Sequence, residues 1–163
     1  MTRAARRARL AALAPALALP SLSLAACLSI TAGHDATPLA SVAVPAGQPS
    51  FAISYVHSVT QSPVEERYRI DGPTVVQTAI LFSEHGPGLP TAADAGGRFG
   101  REGDRFIVTM RRPLDAIPMR VHRAQSPTLV VDGRTQDLAA WGNRALTLTA
   151  HVADCPRSRR AGA

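Results

Sequence analysis

Two neighbouring stretches carry the side chains with the most chemical potential. They are Tyr55-Val56-His57-Ser58-Val59 and, shortly after, Pro63-Val64-Glu65-Glu66-Arg67-Tyr68-Arg69-Ile70. A histidine beside a serine, with carboxylates a short way on, is the composition of a nucleophile, its base and an orienting acid. If the two stretches form a hairpin, Glu66 could return beside His57 and orient its ring while Ser58 attacks, a hydrolytic centre. Strand geometry opposes this, because adjacent residues point to opposite faces and His57 meets Ser58 only at a bent corner. No Gly-x-Ser-x-Gly elbow surrounds the serine either. A simpler role is structural: His57 and Ser58 tie down the corner through backbone hydrogen bonds, and Glu65 or Glu66 adds a cross-strand partner.

Gly86-x-Gly88-Leu89-Pro90 is the second distinctive run. It lacks the lysine and the following helix of a phosphate cradle, so a turn stopped by Pro90 accounts for it better. Both runs fall at the ends of neighbouring predicted strands and could share one rim. Tyr55, His57, Ser58, Glu66, Gly86, Gly88 and Pro90 are therefore the expected binding or partner residues. Such a rim suits a small carboxylate solute or a loop of another protein. No catalytic residue, cofactor or metal is assigned. His34, His122 and His151 have no partner spacing, and Trp141 is expected to cover one end of the core.

The elements that must position these residues are strands. Period-2 alternation marks Ser41 to Val44, Phe51 to Tyr55, Tyr68 to Ile70, Thr74 to Phe82, Arg105 to Met110, Ile117 to His122, Thr128 to Val131 and Leu146 to Val152. Turn signals such as Asp71-Gly72-Pro73 and Asp132-Gly133 separate them. Only Thr135 to Trp141 could hold a short helix. The expectation is an all-β domain: one antiparallel β-sandwich or flattened barrel of about eight short strands, residues 41–152. Residues 27–40 are expected as a linker or ragged first strand, and 153–163 as a disordered basic tail. Five glycines and two prolines between Gly86 and Gly100 mark a long surface loop.

Residues 1–26 read as an export signal. Four arginines lie in the first nine residues, and an apolar run from Leu10 to Leu24 follows, too short and too broken by Pro15 and Pro20 to span a bilayer. Leu24-Ala25-Ala26-Cys27 is similar to the lipobox of bacterial lipoproteins, which implies lipidation at Cys27 and a membrane anchor. The alternative is ordinary cleavage near Ala25 or Ala26, leaving Cys27 to pair with Cys155, the only other cysteine. One sulfur cannot do both. The formal charge of +6 is concentrated at the ends: removing the seven arginines of the first nine residues and the tail leaves 11 arginines against the chain's 12 acids. That near-neutral body, with 4% aromatic residues, argues against nucleic acid.

The order Phe51-x-Ile53-x-Tyr55-x-His57-Ser58-Val59, Pro63-Val64-Glu65-Glu66-x-Tyr68-x-Ile70 and Gly86-x-Gly88-Leu89-Pro90 resembles the bacterial domain-of-unknown-function family eighteen-fifty. Met110-Arg111-Arg112-Pro113-Leu114, Ile117 to Val121 and Thr128 to Gly133 extend the likeness over about residues 50–150. Members are typically small exported or membrane-tethered proteins, often encoded beside TRAP-type solute transporters of the TAXI class. The resemblance implies a role at the outer face of the membrane near such a transporter and implies no reaction. The expectation is a non-enzymatic accessory or binding module with the transporter permease as partner; the alternative is a small hydrolytic enzyme using His57 and Glu66. His85 departs from it, since the family usually has an aromatic residue there.

Overall fold

The computed structural model describes residues 26–47 and 49–152. The expected signal up to Ala25 and the expected tail, with Cys155, lie outside the described residues. Eleven strands run through them: β1 Ala26–Ala32, β2 Thr37–Val44, β3 Ser50–Val56, β4 Pro63–Asp71, β5 Thr74–Phe82, β6 Arg98–Glu102, β7 Arg105–Leu114, β8 Ile117–Val121, β9 Thr128–Val131, β10 Arg134–Asp137 and β11 Arg144–Val152. Two antiparallel sheets result, one in the order β2-β1-β11-β8 and the other β10-β9-β3-β4-β5-β7-β6. The architecture is the expected sandwich and neither sheet closes into a barrel.

The strand count exceeds the eight anticipated because three strands carry weak patterns. The expected linker or ragged first strand, 27–40, is β1 and the start of β2, with a register shift between Ile30 and Thr31. Leu28, Ile30 and Ala32 face the core from β1, which is flanked on both sides by β2 and β11. β6 emerges from the end of the glycine-rich stretch and is mostly exposed. β10 occupies Thr135, where a helix was expected; only a 3-10 turn, Leu138–Trp141, follows it. These strands form because neighbouring strands satisfy their backbone groups, which their own composition does not signal.

Leu28, Ile30, Leu146 and Leu148 from the smaller sheet pack against Phe51, Ile53, Ile70, Val75 and Leu129 from the larger. The larger sheet extends past this contact. On the remainder of its inner face Val64, Ile80, Phe82 and Val108 form a second cluster, covered by Leu89 and Ala93 of the β5–β6 loop. Asp94 of that loop pairs with Arg112 of β7 at 2.7 Å. Gly97 lies against β7 so closely that a Cβ would stand 2.3 Å from the Thr109 carbonyl oxygen.

Cys27 is buried on β1 and disulfide-bonded. Of the two fates left open by the sequence, the structure carries the disulfide, and a sulfur so engaged has no valence left for a lipid.

Leu129 is fully buried between the sheets. Leu129→Ala should lower the stability by about 2–5 kcal/mol, through lost transfer energy plus the cavity left behind. Urea unfolding followed by circular dichroism measures this; an unchanged midpoint would mean the two sheets do not share that core.

Candidate functional site

The corner between β3 and β4 is built around one imidazole. The His57 main chain closes the turn at both ends: its N–H donates to the Ser62 carbonyl at 2.9 Å, and its carbonyl accepts from the Gln61 N–H at 2.9 Å. Gln61 sits at φ +53°, and its side chain donates to the Ser58 carbonyl at 2.7 Å. The buried His57 ring turns inward. Its Nδ1 accepts from the backbone N–H groups of Val59 at 3.3 Å and Thr60 at 3.2 Å. With Nδ1 an acceptor, Nε2 carries the proton and donates to the Pro87 carbonyl at 3.1 Å. Two distant loops are thereby joined through one side chain.

Gly86 is required at this junction. A Cβ there would lie 3.0 Å from His57 Cε1 and 2.8 Å from Thr60 Cγ2. The Gly86 carbonyl accepts from the Leu89 N–H at 3.1 Å, which turns Leu89 down into the second core cluster. Gly88 takes φ +84°, a conformation that costs an L side chain energy. Pro90 is half-buried where the turn ends. The glycine run is thus a turn docked on the histidine ring. His85 lies stacked over Phe99 and tilted at 4.6 Å from Phe106, so it takes the place an aromatic ring would fill.

Glu66 does not reach the corner. It pairs in register with Ile53 of β3 and Ile80 of β5, on the inner face. Its carboxylate accepts from the Tyr55 hydroxyl at 2.9 Å, from the Tyr68 hydroxyl, and from Gln77 Nε2 at 3.4 Å. The hydrolytic arrangement expected as an alternative is therefore not assembled: Glu66 is bonded to tyrosines and both His57 nitrogens to main chain. Ser58 is exposed beyond the corner. The seven residues expected on one rim fall into separate groups. His57, Gly86, Gly88 and Pro90 form the clasp, Tyr55 and Glu66 lie beneath it, and Ser58 faces outward.

Sequence reading misses Tyr68 and Gln77 as partners of Glu66. Tyr68 follows from alternation, being two residues from Glu66 on the same face. Gln77 does not. The β5–β7 pairing skips Thr78, and this bulge brings Gln77 and Ile80 to one face although they are three residues apart. Burial, and then the Glu66 carboxylate, push both tyrosine hydroxyls far above their ordinary range. Glu65 faces the other way. Partial burial works against its charge, but hydrogen bonds from Arg105 at 2.9 Å and Arg67 at 2.6 Å hold its carboxyl below the usual range.

One family model matches the chain, Domain of unknown function (DUF1850), over residues 51–138, more than half of the chain. The matched span contains the corner, the tyrosine-bound carboxylate and the glycine turn. No curated protein and no solved structure matches.

The clasp predicts that His57→Ala, which strands the Pro87 carbonyl and two N–H groups, costs about 1–3 kcal/mol. Gly86→Ala should cost a similar amount through overpacking, about 1–3 kcal/mol. Gly47→Ala, with nothing near its Cβ, serves as the neutral control in the same thermal melts. A Gly86 variant as stable as the Gly47 variant would contradict the docking of the turn on the ring.

A second prediction concerns alkali. Both tyrosines of the chain bond Glu66. Each has a folded pKa above its unfolded value near ~10, so the folded state holds more protons there. Their contribution is complete below pH ~10 and is lost as pH rises above it. The melting temperature should fall over that interval, and Tyr68→Phe should flatten the fall. Tyrosinate absorbance that develops in the native state at the ordinary pH would contradict this.

Proposed function

This chain belongs to the DUF1850 family, and we propose that it is an exported, non-enzymatic accessory or binding module of the cell envelope, associated with a TAXI-type TRAP solute transporter. The observation that carries the non-enzymatic part is the His57 ring, whose two nitrogens are both committed to main-chain partners. A general base must be free to take a proton from a substrate. His57 instead spends its bonding capacity holding two loops in one arrangement, as a scaffold for presenting a surface does. The surface so presented consists of exposed Ser58 and Val59 on one loop and exposed Pro87 and Gly88 on the other.

Export is supported by the arginine-rich, apolar beginning of the sequence and by the disulfide at Cys27, since disulfides persist in oxidising compartments. Attachment through a lipid at Cys27 is not carried into this proposal, because the same sulfur serves the disulfide. The transporter partner is supported by the family resemblance, which implies a place near such transporters.

The test is recovery of partners. Tagged protein isolated from native membranes in mild detergent should bring a TRAP permease with it. Val59→Asp alters the most exposed large apolar side chain of the presented surface, 65% exposed, and keeps the backbone N–H that Val59 donates to His57. It should reduce permease recovery at least fivefold while the melting temperature stays unchanged. A clean protein without a permease would overturn the transporter part of the proposal.

A further inference from the structure

The outward side of the His57 corner opens onto a second feature. Ser58 and Gln61 line one wall of a cavity of about 610 Å³, whose other walls are Arg120 and Val121 of β8, the 3-10 turn after it, and Asn143 and Arg144 at the start of β11. Its volume is that of a small-molecule site. Among the lining residues there is no carboxylate, while two are arginines, Arg120 and Arg144. The other arginines near carboxylates in this fold are neutralised: Arg67, Arg69, Arg105, Arg111 and Arg112 all make ion pairs. Arg120 and Arg144 make none among the described residues.

Two adjacent strands carry the arginines. Arg144 pairs with Val121 and Arg120 with Ala145, so by strand alternation their stems leave opposite faces at the end of the sheet, and both residues border the cavity. The 3-10 turn Arg123–Gln125 is fastened to the same end of the sheet by Asn143, whose Oδ1 accepts from the Arg123 N–H at 2.9 Å. His122 Nδ1 accepts from the Ala124 N–H at 3.4 Å. The corner wall is fixed by the Gln61 side chain on the Ser58 carbonyl at 2.7 Å. The Ser58 hydroxyl adds a donor on that wall. Guanidinium groups offer planar, paired N–H donors that match carboxylate and phosphate oxygens.

We infer that this cavity is a binding site for a small molecule carrying a carboxylate or phosphate group, held by Arg120 and Arg144 with Ser58 and Gln61 on the facing wall. It deepens the binding-module proposal by giving the corner a ligand class. It does not depend on the permease being the partner.

Isothermal titration of the full chain with inorganic phosphate and with succinate tests it, alongside sedimentation with phosphatidylglycerol vesicles. Saturable binding to phosphate or succinate, weakened at least tenfold by Arg120→Gln and by Arg144→Gln and unchanged by Arg134→Gln, supports a soluble ligand. Binding to the vesicles alone, with the same dependence on Arg120 and Arg144, supports the same anion chemistry supplied by a headgroup. Absence of saturation with all three probes overturns the inference, as does binding that both arginine variants retain. Permease recovery, measured separately on the unaltered protein, keeps the two proposals apart. Recovery without anion binding overturns only the site, and anion binding without recovery overturns only the transporter.

Discussion

A sheet of seven strands packed on a sheet of four leaves apolar surface uncovered, and this mismatch governs the molecule. Val64, Ile80, Phe82 and Val108 would face water if only the smaller sheet covered the inner face. Burying such side chains is worth roughly 1.5–3 kcal/mol each, so a cover is needed and something must hold it down. The β5–β6 loop is the cover. It is held at its near end by the His57–Pro87 hydrogen bond, in its middle by buried Leu89 and the Asp94–Arg112 pair, and at its far end by Gly97 against β7.

From this constraint follows the placement of the polar groups. Glu66 and Tyr55 lie where the two apolar clusters meet, and Tyr55 packs against both. A carboxylate at such a boundary loses water, and the loss must be offset by donors. Two tyrosine hydroxyls and the Gln77 amide supply them. The neighbouring Glu65, one residue away and on the opposite face, instead anchors an arginine network that runs through Arg67 to Glu102. Two adjacent glutamates thus do different work because a strand alternates.

The consequence for function is a division of labour at the corner. Its inner side is consumed in fastening the cover, and its outer side is left to meet other molecules. Ser58, which looks like a nucleophile beside a base, belongs to the outer side, with the arginine-lined cavity. His57 belongs to the inner side. The bent turn separates neighbours in sequence by turning the histidine in while the serine stays exposed.

The amino-acid sequence by itself determined the all-β class, the positions of the long strands and the family, because alternation, turn residues and short motifs are local signals. β5 and β9 are bounded in the structure as alternation bounds them. It left β1 open between a linker and a ragged strand and did not announce β6 and β10, which are ordered by pairing with neighbours rather than by pattern. Only the tertiary structure decided what Glu66 bonds, since the bulge at Thr78 that delivers Gln77 is an event of strand pairing. Likewise it decided that His57 is spent on Pro87, and that Arg120 and Arg144 stand in one cavity with Ser58. The His57–Pro87 contact joins residues 30 positions apart, and no local rule of spacing reaches across a sandwich.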